Sequence, residues 1–220
     1  MDIAFKNLIN GKTIKTELED YSFNVLIGKN GYGKTTFLNG LRDFIEKNNY
    51  HCVYWSDMEY GRDRGRQFLL MNSNIKALAS MAFKSEGETL LSSIDEFFIT
   101  KASAIARKAK ENDVVFLLLD QIDSGLDIHQ IGEIKYIIKN VIIPDMKNRG
   151  MKVYAVVSAN SYELAESEIC INPRTGKKVK IKDYNAYKQY ISKQYKSKSK
   201  GGIKWISFWR LYVYLLLLLK

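Results

Sequence analysis

The sequence predicts an α/β protein: a mixed sheet with an N-terminal antiparallel β part and a parallel core flanked by helices. Three observations carry this. Strand-like and helix-like segments alternate through the middle of the chain, as in βαβ units. Two apolar runs, VVFLLLD at 114–120 and KVYAVVS at 152–158, show no alternation and read as strands buried on both faces. Near the start, segments 2–8 and 13–18 flank Asn10-Gly11, a hairpin turn signal.

In chain order, 22–27 (SFNVLI) reads as a third strand running straight into GKNGYGKTT at 28–36. Phe37, Leu38, Leu41, Phe44 and Ile45 then recur three to four apart, the period of an amphipathic helix. HCVYW at 51–55 is the next strand. Residues 57–74 are charged and Gly-punctuated, a loop with a short helix after it. A long helix is expected from Gly87 to Glu111, and a further one over 128–149 with Pro144 kinking or ending it. Residues 183–195 place Tyr184, Tyr187, Tyr190 and Ile191 at helical spacing, with Asp183 as N-cap. No internal repeat is present.

With 220 residues, 46% hydrophobic and 26% charged, the chain has an ordinary globular composition, which excludes a wholly disordered or collagen-like protein. The net charge of +10 is unevenly spread. Residues 1–173 hold 21 Lys/Arg against 23 Asp/Glu, whereas residues 174–204 hold 11 against Asp183 alone. The body is nearly neutral, so a globally basic nucleic-acid-binding fold is not supported, although a basic C-terminal region that touches phosphates is. Cys52 and Cys170 form no disulfide framework, which suits a reducing compartment. The segment MDIAFKNLIN has no basic stretch followed by an apolar one, so no secretory signal is read and a cytoplasmic location is expected. His51 and His129 are isolated in the sequence and are not read as metal ligands.

Residues 28–35 fit G-x-x-x-x-G-K-[ST] at every fixed position, between an expected strand and an expected helix. The chemistry needs those types. Gly28, Gly31 and Gly33 let the backbone close its N–H groups around phosphate oxygens, with Asn30 between them. Lys34 brings a point charge to the outer phosphates. The Thr35 hydroxyl can ligate Mg²⁺, and Thr36 continues into a helix whose N-terminus favours anions. Nucleotide binding follows as an expectation. Asp120, at the end of an apolar strand, is placed to hold the Mg²⁺ directly or through water.

The segment LLLDQIDSGLD at 117–127, taken with GKNGYGKTT, resembles the ATP-binding-cassette (ABC) ATPases. The resemblance covers residues 1 to about 172. It implies a P-loop NTPase of ABC ATPase type, with ATP and Mg²⁺ as cofactors. Asp120 becomes the acid of the second nucleotide motif, and Ser124 to Asp127 its Ser-Gly-Leu-Asp loop. The family's signature segment is matched by Ser85, Gly87 and Glu88 in SEGE at 85–88, which in a head-to-tail homodimer contacts the nucleotide of the other subunit. By itself that tetrapeptide also reads as a helix N-cap and capping box.

Three departures modify the expectation. The family's catalytic glutamate falls at Gln121, which can orient water but takes no proton. Loss of a general base costs ~10²–10⁴-fold, so slow hydrolysis is implied. Asp123, two further along a strand end, is expected to point away from the same water. The switch histidine aligns with Ala159, leaving Asn160 to hydrogen-bond a phosphate or water. The short span from Lys34 to Ser85 implies a reduced helical lobe, and the absence of any heptad run excludes long coiled-coil arms. For a glutamine loop Gln67 is the candidate, and for stacking on adenine Phe5 and Tyr21 are, although both also read as core or edge-strand aromatics.

The domain reading is 1–195 for the ATPase unit and 196–220 for a basic linker and hydrophobic tail. KSKSKGG at 196–202 is a basic link. Residues 205–219 carry one charge, Arg210, and fall short of the ~20 apolar residues of a membrane span. A peripheral membrane anchor, a partner-binding helix and a functionless extension all remain open for it. Two functions follow. One is a nucleotide-gated homodimeric ATPase of the compact, DNA-repair-like branch, grading into a regulator without turnover. It would signal to a protein effector or nuclease in DNA metabolism or phage and mobile-element defence. The alternative is the ATP-binding subunit of a membrane transporter, against which the short lobe, Gln121 and Ala159 argue.

Overall fold

The computed structural model describes residues 1–56, Ile94 and residues 103–196. The loop at 57–74, Gln67, the segment 85–88 and residues 197–220 lie outside the described residues, as does the region that bears on a reduced lobe.

β1 (Asp2–Lys6) and β2 (Thr13–Glu17) pair antiparallel as a separate two-stranded sheet. Alternation turns Ile3, Phe5 and Ile14 inward. The first strand stops at Lys6, before the expected residue 8, because the Asn7 carboxamide oxygen accepts from Ile9 N at 2.9 Å and from Asn10 N at 3.3 Å. Those local bonds turn the chain out of the ladder.

The main sheet has six strands: β3 (Phe23–Ile27), β4 (His51–Ser56), β5 (Val114–Asp120), β6 (Lys152–Ala159), β7 (Ile169–Ile171) and β8 (Lys178–Val179). Their order is β4-β5-β6-β3-β7-β8, all parallel except β8, which runs antiparallel to β7. Both faces are covered, which is why the central strands are continuously apolar. Val115, Leu117 and Leu119 of β5 point to one core layer, and Phe116 and Leu118 to the other.

The second layer contains α1 (Lys34–Lys47), which buries Phe37, Leu38, Leu41 and Ile45. A Cβ on Gly40 would stand 2.5 Å from Phe5 and 3.1 Å from the Lys6 carbonyl, so only glycine lets the β1–β2 hairpin lie this close to α1. The first layer contains α3 (Ile128–Ile137), α4 (Ile143–Asn148) and, beyond α5 (Tyr162–Ala165), the terminal α6 (Tyr184–Lys196). Asp183 caps α6, accepting from Ala186 N at 2.8 Å, as expected. Within the span 87–111 expected to be helical, the described helix is α2 (Ser103–Lys108), which ends short of Glu111 as Asp113 accepts from Lys110 N.

Pro144 neither ends nor breaks the helical run. It sits in the first turn of α4, and residues Ile138–Ile142 widen into a π turn. The Ile143 N–H reaches back to Ile138 O, five residues away. Proline cannot donate and its ring would press on the carbonyl four residues earlier, and the wider turn accommodates both. Among the described residues no helix is long and apolar enough to cross a membrane.

The register places the ends of the central strands level. Ser56 lies beside Asp120, Asp120 beside Ser158, and Ile27 beside Ala159. The loops after β3, β5 and β6 therefore leave from one edge of the sheet, the carboxyl edge where open α/β sheets bind ligands.

Candidate functional site

β3 delivers the chain into the loop 28–36 from a fully buried strand. Gly31 and Gly33 take φ of 70° and 99°, conformations that a side chain disfavours. Tyr32 N closes a turn onto Lys29 O at 3.0 Å. α1 then begins at Lys34 with Gly33 as N-cap, which supplies no side-chain acceptor. The first amides of this helix, from Lys34, Thr35 and Thr36, are the donors that such loops turn toward anions.

Lys34 is 5% exposed. Its ammonium donates to Gly28 O at 2.6 Å and to Lys29 O at 3.4 Å, bracing the loop from within. Burial lowers its pKa from the ordinary lysine value, opposed by the charges of Asp123 and then Asp120. The Thr35 hydroxyl donates to Asp120 Oδ2 at 2.8 Å. The Ser158 hydroxyl donates to Asp120 Oδ1 at 2.6 Å and accepts from Gln121 N at 2.8 Å. Residues 85 positions apart are thus joined as a hydroxyl and a carboxylate, a hard oxygen pair suited to Mg²⁺.

After β5 the chain turns sharply. Gln121 has φ of 57°, a left-handed conformation rare for a non-glycine residue and one that costs on the order of 1–3 kcal/mol. Ser124 N bonds to Gln121 O, so strand alternation ends there. Asp123 consequently does not follow the strand's parity. Its Oδ2 accepts from Asn160 N at 2.7 Å and Ser161 N at 2.6 Å, pinning the loop after β6. Asp127 caps α3 in a reciprocal box with Gln130, at 2.9 and 3.1 Å.

The structure brings Gly28, Asn30, Gly31, Gly33, Lys34, Thr35 and Thr36 to one edge with Asp120, Gln121 and Asn160. Asn160 lines a cleft with Gly28, Lys29, Asn30 and α6. Asp127 lines a separate cleft with Asp123 and Asn160. Ser85, Gly87 and Glu88 lie outside the described residues. Neither candidate for adenine stacking has its ring free at this edge. Phe5 packs edge-on against Phe37, centroids 4.9 Å apart, in the core. Tyr21 precedes β3, at the opposite end of that strand from the loop, and its hydroxyl donates to Met151 O.

Sequence reasoning missed Ser158 as the hinge between Asp120 and Gln121. A small polar residue ending an otherwise apolar strand was its signal. It also missed the embrace of the loop by α6. Gln194 Oε1 accepts from Lys29 N at 3.0 Å, Lys29 Nζ lies 4.0 Å from the Tyr195 ring centroid, and the Tyr187 hydroxyl donates to Asn160 O at 2.9 Å. On the far side Arg174 donates to Tyr32 O at 3.3 Å and stacks on its ring at 4.2 Å. Ser158→Ala removes a buried donor and acceptor together, leaving Gln121 N orphaned. A loss of about 1–3 kcal/mol in unfolding free energy is expected, measured by denaturant titration.

No family model matches the sequence, and no curated protein matches it. Among solved structures, a nucleotide-free ATP-binding cassette from an ABC transporter is 11% identical, with 86% of this chain and 94% of that chain covered at a TM-score of 0.44. The ADP conformation of another ATP-binding cassette of an ABC transporter is 13% identical, covering 87% and 95% at 0.45. A dimeric bacterial ABC transporter cassette is 14% identical, covering 84% and 100% at 0.44.

Proposed function

We propose that this chain is an ATP-binding, slowly hydrolysing ATPase of the ABC type that works as a nucleotide-gated homodimer switch. The observation that carries the reading is the 2.8 Å bond between Thr35 and Asp120, which joins the phosphate loop to the acid at the end of β5. Gly28 to Thr36 hold the phosphates, and Thr35 with Asp120 would hold Mg²⁺. The ion, when bound, neutralises charge on the transferring phosphoryl group. Gln121, fixed at its backbone by Ser158, and Asn160 stand at the same edge to orient water or phosphate.

Residues 1–195 act as one ATPase unit in this reading. Ser85, Gly87 and Glu88 reach the nucleotide of the second subunit, as the sequence resemblance implies. The closed dimer presents its state to a protein effector or nuclease, in DNA metabolism or in defence against phage and mobile elements. The basic C-terminal region offers contacts to nucleic acid, and the tail a weak contact to membrane.

The test is mass by light scattering with and without ATP and Mg²⁺, run beside phosphate release. Wild type is expected to double in mass with nucleotide. Ser85→Arg is expected to stay monomeric while binding ATP as tightly. An unchanged wild-type mass at saturating ATP would refute the dimer.

A further inference from the structure

The terminal helix α6 has two faces with different environments. One is packed: Tyr187, 7% exposed, belongs to the first core layer, and Tyr190 and Ile191 lie against that layer. The other carries Tyr184 and Tyr195, 56% and 59% exposed, with the exposed Lys188 between them. The two tyrosines are eleven residues apart in sequence. That is about three helical turns, so they stand on the same side of the helix, roughly 16 Å apart along its axis.

Each ring is held in place by a neighbour. Tyr162 meets Tyr184 with centroids 5.6 Å apart, and Lys29 Nζ lies 4.0 Å from the centroid of Tyr195. Tyr184, Lys188 and Tyr195 line a cleft of ≈ 270 Å³ together with Gly28, Lys29 and Asn30 of the phosphate loop. The charge of this part of the chain is one-sided. Residues 174–204 hold 11 Lys/Arg against Asp183 alone, and Lys180, Lys182, Lys188 and Lys193 are all exposed. Such a surface attracts polyanions. Aromatic rings spaced along a basic groove are what unpaired bases stack on, whereas bases in a duplex keep their faces within the stack. An acidic peptide would engage the ammonium groups and leave the rings unused. A bilayer would need an apolar helix face to bury, and that face of α6 is already packed in the core.

We propose that this face of α6 binds an unpaired nucleic-acid strand, with bases stacked on Tyr184 and Tyr195 and a backbone phosphate between them at Lys188. The inference rests on the nucleic-acid contact in the reading above and gives it a site and a strand state; it does not rest on turnover. Binding is independent of base sequence, since every base has a face to stack. The bound strand shares its cleft with the first residues of the phosphate loop.

In the experiment the full chain is titrated into fluorescein-labelled oligothymidylate, oligouridylate and a duplex of equal length, with anisotropy as the readout. Wild type, Tyr184→Ala/Tyr195→Ala, Tyr184→Phe/Tyr195→Phe and Lys188→Gln are compared, with melting temperature and affinity for a fluorescent ATP analogue measured beside them. Wild type is expected to bind a single strand more tightly than the duplex, and the strand it prefers identifies the sugar. The alanine pair is expected to weaken that binding at least ~30-fold, because each ring stacks on one base. The phenylalanine pair keeps both ring faces and is expected to bind as wild type. Lys188→Gln is expected to flatten the slope of log affinity against log salt by about 0.7, the share of one phosphate contact. An alanine pair that melts and binds like wild type overturns the inference. So does a duplex bound as tightly as the single strands. Displacement of the strand by polyglutamate or by phosphatidylserine vesicles, as readily as by unlabelled strand, overturns it too. Should the alanine pair melt early, Lys188→Gln decides, since that side chain is exposed: a salt slope equal to that of wild type overturns the inference. Analogue binding without strand binding overturns this inference alone, and strand binding without analogue binding overturns the ATPase reading alone.

Discussion

Lys34→Met is expected to abolish ATP binding, and to do so without unfolding the protein. Two charged hydrogen bonds to phosphate are lost, each contributing about 1.5–3 kcal/mol. Together that is about 3–6 kcal/mol, or ~10²–10⁴-fold in dissociation constant. The effect on folding is smaller than the residue's burial suggests. Lys34 keeps its charge against a desolvation cost, visible as its lowered pKa. Methionine removes that cost, fills most of the volume and forfeits the bonds to Gly28 and Lys29 carbonyls. The opposing terms leave the ligand-free melting temperature near wild type. Titration with a fluorescent ATP analogue and a thermal melt on the same sample check both halves. An analogue affinity matching wild type would remove Lys34 from the phosphate site.

Asp120→Asn is expected to uncouple nucleotide binding from Mg²⁺. Both carboxylate oxygens accept hydroxyl hydrogens, from Thr35 and Ser158. An asparagine presents an amide donor to one of those hydroxyls, which must rotate away, and it removes the negative charge a divalent cation needs. Loss of a residue that merely supports a metal ligand costs ~10–100-fold, so loss of the carboxylate itself is expected to lower Mg-dependent turnover by at least that much. ATP affinity in EDTA should match wild type, and raised Mg²⁺ should restore part of the turnover. Equal turnover of variant and wild type across a Mg²⁺ titration would place the metal elsewhere.

The parts of the site that sequence made legible are those whose chemistry is local. The loop 28–36 is readable because glycine, lysine and threonine are each required within a few residues. β5 is readable to its end because burial on both faces forces a continuous apolar run closed by Asp120. β7 and β8 were not read, since strands of three and two residues show no period to detect. The π turn was hidden because proline predicts a disturbance and not how a neighbouring turn absorbs it. The long-range partners of Ser158, Asp123 and Gln194 were missed for one reason. Their bonds span 37, 38 or 165 residues, and nothing in the flanking sequence records a partner at that distance. For Asp123 the argument from strand parity does not apply, because the backbone abandons the strand at Gln121.

The bond from Lys29 N to the Gln194 carboxamide sets a timetable for the growing chain. The phosphate loop leaves the ribosome 165 residues ahead of the helix position that braces it. Contacts of such sequence separation form slowly, because a long stretch of chain must be ordered before they repay its entropy. Domains generally gain structure from the N-terminus as they are synthesised. Here the loop would wait with its shoulder unbraced until α6 arrives. A nascent chain that already holds Gly28 to Thr36 and Asp120 therefore carries the loop and its acid without the brace that gives the loop its finished shape, and that brace comes from the later helix.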